Sequence, residues 1–147
     1  MVDIIIDSNV EELIDKYQSR DENLKSAVED GLDESAETTV YMMKAEHFPN
    51  IDTGKLTSSI EERTTGEFQR TIGPWLDEDY PYYLEMGTRP HVIEGNPYLY
   101  WPGADHPVRR VNHPGTRPYP YVAPTAEQMK TEFPRIMSDH VSHAMEE

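Results

Sequence analysis

Residues 21–47 read DENLKSAVEDGLDESAETTVYMMKAEH. Leu24, Val28, Leu32, Ala36, Val40 and Met43 recur there at steps of four and three, which lays one apolar stripe along a helix. Gly31 lies inside it, at a cost of about 1 kcal/mol relative to alanine. Tyr41 and Met42 fall off the stripe, so the last turns are expected to be covered on two sides. Pro49 requires the helix to end before it. Upstream, Ser8 and Asn9 are N-cap types, and Glu11 and Glu12 suit the positive end of a helix dipole, so 9–48 reads as helical. Residues 1–8 carry Val2, Ile4, Ile5 and Ile6 and read as an N-terminal arm or edge strand.

Beyond the helix, 50–122 reads as a β meander with loops. Asp52-Thr53-Gly54 is turn chemistry. Thr57 to Thr64 and Glu67 to Gly73 flank Thr65-Gly66 and suggest a hairpin, with Arg70 between Phe68 and Ile72 on one face. Gly73-Pro74 closes its second strand. Tyr80, Tyr82, Tyr83, Leu84 and Met86 form a compact aromatic cluster on a short helix, with Asp79 as cap, Pro81 in the first turn and Gly87 at the end. Tyr98 to Trp101 and Val108 to Val111 read as two more strands, joined across Pro102-Gly103. After a proline-rich bend, 123–147 reads as a C-terminal helix striped by Met129, Phe133, Ile136, Met137, Val141 and Ala144, with a kink expected at Pro134. No internal repeat is evident. The expected architecture is one α+β domain. An antiparallel sheet of about four strands packs against a long N-terminal helix and a C-terminal helix, both helices on one face.

The chain has 147 residues, long enough for one core. Its 13 Lys and Arg face 28 Asp and Glu, a formal net charge of −15. That excludes nonspecific wrapping of duplex nucleic acid and a cationic membrane-surface role. Without cysteine there is no disulfide, thiol catalysis or cysteine zinc site. No apolar run approaches the roughly 20 residues of a membrane span. Val2 to Ile6 is too short and lacks the basic leader of a signal peptide, so a cytosolic protein, or one assembled there, is expected. Mean hydropathy is −0.76, which is polar for a folded domain, but nine tyrosines and two tryptophans are substantial core material and weigh against disorder. Lysine is scarce and the carboxylates are dispersed, as expected of a protein adapted to molar salt, where self-repulsion is screened.

Reactive constellations are not recognisable. His91, His106 and His113 fall in loops, and His140 and His143 are three apart on the last helix, without His-Glu-x-x-His spacing. Ser58 and Ser59 lack a nucleophile elbow, and Gly54-Lys55 lacks the glycine-rich run of a phosphate loop. The chain is therefore not expected to be an enzyme or to carry a cofactor or metal. One charge feature is informative: 86–122 holds Arg89, Arg109, Arg110 and Arg117 against Glu94 and Asp105, a net +2 within a chain of −15. Either these arginines pair with nearby carboxylates, or they form a subunit or partner interface together with Tyr98, Tyr100 and Trp101.

Three segments carry a resemblance. Asp52-Thr53-Gly54-Lys55-Leu56 with Ser59-Ile60 is the first. Tyr82 through Ile93, including Glu85-Met86-Gly87-Thr88-Arg89-Pro90-His91, is the second. His113-Pro114-Gly115-Thr116-Arg117-Pro118-Tyr119-Pro120-Tyr121-Val122-Ala123-Pro124 is the third. In this order they resemble the tail-component family of long-tailed, siphovirus-type phages, also called neck, head–tail joining or tail-completion proteins; the acidity points to a haloarchaeal tailed virus. The resemblance spans about residues 20–145 and departs from the family in the N-terminal arm, in the acidity, and at Glu94-Gly95-Asn96. It implies a virion protein of the head–tail junction forming a homo-oligomeric ring, a hexamer. Its partners would be head connector or stopper proteins and the tail tube protein, with genomic DNA transiting the bore without specific binding. The runner-up is a small acidic cytosolic module that partners a basic protein. Gly54, Gly87 and Gly115 read as left-handed turn positions, and Glu85 is expected to pair with Arg89.

Overall fold

The structure, a computed structural model, describes residues 2–7, 21–47 and 54–146. The proposed cap at Ser8 and Asn9, the helical reading of 9–20, and the features at Pro49 and Asp52-Thr53 lie outside the described residues. In chain order the elements are β1 (Ile4–Asp7), α1 (Asp21–Tyr41) continued by a π-helical segment Met42–His47, α2 (Lys55–Ser59), β2 (Ile60–Gly66), β3 (Gln69–Pro74), α3 (Tyr80–Met86), β4 (His91–Leu99), β5 (Val108–His113) and α4 (Val122–Glu146).

The class is α+β, with the strands in two small antiparallel sheets rather than one. The first has the order β1-β3-β2 and the second is the β4-β5 ribbon alone. β3 is the central strand of the first sheet: the N-terminal arm pairs along one side of it, Ile4 opposite Ile72, and β2 along the other, Ile60 opposite Pro74. The hairpin turns at Glu67-Phe68, two residues beyond the expected Thr65-Gly66, and Thr57 to Ser59 are helical rather than extended.

The α1 stripe forms the core as its spacing predicts. Leu24, Val28, Leu32, Ala36 and Met43 are buried and Val40 is partly so. Around Val28, Leu32 and Ala36 gather Ile4, Leu56, Ile60, Ile72, Leu84 and Tyr121. Two hydroxyls inside this apolar layer are satisfied within the helix: Ser35 Oγ donates to the Gly31 carbonyl at 2.7 Å and Thr39 Oγ1 to the Ser35 carbonyl at 2.6 Å.

Arg70 shares the core-facing side of β3 with Ile72, and its guanidinium closes onto two carboxylates of α1. It donates to Asp33 Oδ1 at 2.7 Å and to Glu29 Oε2. Burial alone would lower its pKa, but the hydrogen bonds and charges of Glu29 and Asp33 outweigh that and raise it. The pair therefore clamps sheet to helix with its charge matched, where an unmatched one would be costly.

The two long helices do not lie side by side on the sheet. The sheet packs on α1, and α4 packs chiefly on α1 and its π-helical extension. Gly31 marks the crossing: a Cβ there would stand 2.8 Å from Met137 Sδ, so the glycine permits close approach as well as weakening the helix. Of the α4 stripe, Met129 and Ile136 are buried, and Phe133, Met137, Val141 and Ala144 are partly so. The helix runs on through Pro134.

Candidate functional site

The β4-β5 ribbon is built up from a crossing of two identical tetrapeptides, Gly87-Thr88-Arg89-Pro90 and Gly115-Thr116-Arg117-Pro118. Thr88 and Thr116 exchange backbone hydrogen bonds at 3.0 and 3.1 Å, forming an isolated bridge below the ribbon. Each glycine lets the other segment pass. Gly87 (φ 72°, ψ 177°) faces the Thr116 carbonyl, where a Cβ would come within 2.6 Å, and Gly115 (φ 87°) faces the Thr88 carbonyl. Gly87 occupies a region that essentially only glycine adopts. Gly54, at φ 65° and ψ −9°, is left-handed before α2, with open space around it. These four residues recur in the sequence, a short repeat where none is expected.

Glu85 secures the crossing to the body. It does not reach Arg89. Its buried carboxylate turns to the start of α4, accepting the amide hydrogens of Tyr121 at 2.7 Å, Val122 at 2.9 Å and Ala123 at 3.0 Å. Three otherwise orphaned helix donors thus meet one negative group at the positive end of the dipole. Tyr121, beside it, is fully buried. Burial first, then the Glu85 charge and Tyr80, push its phenol above the ordinary tyrosine range. The Tyr119 amide also donates to the Leu84 carbonyl at 2.8 Å.

Above the bridge the strands pair His91 with His113, Val92 with Asn112, Ile93 with Val111 and Glu94 with Arg110. The two histidine rings stack at 4.9 Å. His91 Nδ1 lies 2.7 Å from the Arg89 carbonyl and must carry the hydrogen, whereas His113 Nδ1 accepts from the Gly115 amide at 3.0 Å. Register then shifts before Leu99 meets Val108. β4 starts earlier than expected, at His91, and Tyr100 and Trp101 lie beyond its end. The ribbon packs chiefly on itself.

The interface residues expected from the sequence all lie on or beside this ribbon. Arg109 and Arg110 are on β5, Arg89 and Arg117 flank the base, and all four are exposed. Among the described residues none of them makes an ion pair. Arg109 sits 5.7 Å from the centroid of the Tyr98 ring, a cation–π distance. Tyr98, Tyr100 and Trp101 are 53%, 69% and 45% exposed, and Val92 and Ile93 are exposed beside them.

A compact cluster of the α3 tyrosines is expected from the sequence. In the structure the buried face of α3 is Pro81, Leu84 and Glu85, and Tyr80, Tyr82, Tyr83 and Met86 point outward, with Tyr119 exposed as well. Of the described tyrosines only Tyr121 is fully buried. The arrangement is an arginine and aromatic surface on an otherwise acidic body, suited to binding a protein surface that offers carboxylates and apolar contact.

Elsewhere, an open groove between α1 and α4 is lined by Asn23, Ser26, Asp30, Asp139, His140 and His143. His140 Nε2 there lies 2.6 Å from Glu34 Oε2. Among the described residues no three His, Asp or Glu side chains are placed to hold a metal ion, and no helix is long and apolar enough to cross a membrane. No family model, curated protein or solved structure matches the chain.

Proposed function

We propose that this chain is a virion structural protein of the head–tail junction of a tailed virus, with a haloarchaeal host. It would assemble as a homohexameric ring that completes the tail and joins it to the head connector, with DNA passing through the bore. The observation that carries the reading is the exposed ribbon and its base, whose four arginines form no ion pair among the described residues while the body is strongly acidic. A heterologous contact between such unlike surfaces is what ring closure uses. A second support is spatial. The second and third segments of the resemblance meet at the Thr88–Thr116 bridge and through Glu85, and the first contributes Leu56 and Ile60 to the core. These segments therefore act as joints of one framework. An acidic bore would repel DNA and let it slide.

Virus carrying Arg109→Glu with Arg110→Glu is the test. Filled heads and free tails are expected, with the purified variant folded; ordinary particles overturn the reading. Isolation of the wild-type chain only as a monomer bound to one soluble basic protein would favour the acidic binding module instead.

A further inference from the structure

Two parts of the molecule are incomplete as they stand. The first is the ribbon. A two-stranded antiparallel unit is marginal in water unless a third strand or an apolar surface supports it. Here β4 and β5 pair only with each other among the described residues and keep Val92, Ile93 and Tyr98 exposed. The second is the outer edge of β2. Among the described residues that strand pairs with β3 on one side alone, and every residue of it after Ile60 is exposed. Alternate backbone N–H and C=O groups along such an edge are a template for another strand.

The charges on the two edges are opposite. β2 and its turn present Glu62 and Glu67 together with Glu61, which is ion-paired to the single cation Arg63 at 2.6 Å, a net negative edge, and β5 presents Arg109 and Arg110. Ribbon against ribbon would place arginines opposite arginines, and β2 against β2 would place glutamates opposite glutamates. Both are unfavourable as cross-strand pairs. Ribbon against β2 satisfies both.

We propose that the occupant is a second copy of this chain. The ribbon of one copy adds to the β2 edge of the next through β5, giving a five-stranded sheet shared between subunits. The contact is heterologous, each copy offering a ribbon to one neighbour and an edge to the other, and repetition gives a ring where the rotation per copy closes. Backbone ladder bonds supply the joint, and the arginine–glutamate contacts set its polarity. Molar salt assists: screening at about 3 Å removes repulsion between acidic bodies while leaving close-contact pairs. The inference rests on the ring reading and names its joint.

The absence of native cysteine makes the test clean. Chains with Glu62→Cys and with Arg110→Cys are co-expressed, checked for assembly by sedimentation, and treated with a short bismaleimide. Linked dimers are expected from the mixture and not from either variant alone. In parallel, Arg109→Glu with Arg110→Glu should sediment as a folded monomer, and adding Glu61→Arg with Glu62→Arg in the same chain should restore the oligomer. An oligomer without the Glu62–Arg110 link, or a folded four-site variant that stays monomeric, overturns this joint and leaves the ring standing. A wild-type chain that is monomeric at all salt concentrations, and in virions, removes both.

Discussion

The carboxylate of Glu85 accepts the amide hydrogen of Val122 at 2.9 Å, across 37 positions of chain. One side chain near the end of a seven-residue helix thereby defines where a 25-residue helix begins. Glu85→Ala should leave three amides at a largely buried site without an acceptor, at a cost of about 3 kcal/mol. Glu85→Gln keeps one acceptor oxygen and should fall between. Urea denaturation of the three proteins checks the order.

Leu32 is fully buried and Phe133 only partly, although both lie on apolar stripes. Leu32→Asp should prevent folding, because it strands a charge in the core. Phe133→Asp should leave a folded protein destabilised by about 2 kcal/mol, since its carboxylate can reach water. Circular dichroism melts separate the two; equal loss would mean α4 is more deeply seated than its exposure indicates.

Tyr121 makes stability depend on alkaline pH. Its phenol is raised in the folded state, so the folded chain holds that proton more tightly than the unfolded one. The contribution is full below the ordinary tyrosine value of about 10 and is lost as pH rises towards the folded value. Melting temperature should fall above about pH 10, and Tyr121→Phe should flatten that limb. A variant with the same alkaline slope would show that other groups set it.

Salt should stabilise the fold. With a net charge of −15, self-repulsion falls as the Debye length shrinks from about 10 Å at 0.1 M to about 3 Å at 1 M. The melting temperature should climb steadily in KCl up to molar concentrations. A flat or falling curve would count against salt adaptation. The Arg70 clamp to Glu29 and Asp33 is shielded from solvent at the guanidinium and should be weakened little.

Helical periodicity made α1 legible because its burial repeats with the helix itself, and Gly87 stopped α3 where a glycine was expected. Strand pairing was less accessible. Residues 98–101 and 108–111 have strand character, but nothing local states which neighbour a strand takes, and the N-terminal arm had claimed the edge of β3. Arg70 looked like a flaw in an apolar face because its partners are 41 and 37 positions away. Glu85 differs from expectation for the same reason: Arg89 is four residues on, whereas its partners lie at the start of another helix. The tyrosines of α3 show the limit of composition, since the same residue type serves a core at Tyr121 and a surface at Tyr82. The exposure of Arg89, Arg109, Arg110 and Arg117 agrees with their reading as surface charge, because charge, unlike pairing, can be read without knowing the fold.

The Thr88–Thr116 bridge makes the ribbon a lever. Counted along the regular strand, from Thr116 at the bridge to Val108 opposite Leu99, the arm extends about 26 Å at the usual rise per residue. A tilt of about 5° at the bridge would then carry the far end through about 2.3 Å, a little under a hydrogen-bond length. Because Glu85, two residues before Gly87, is hydrogen-bonded to the first turn of α4, any rotation of that helix would be passed to the base of the ribbon.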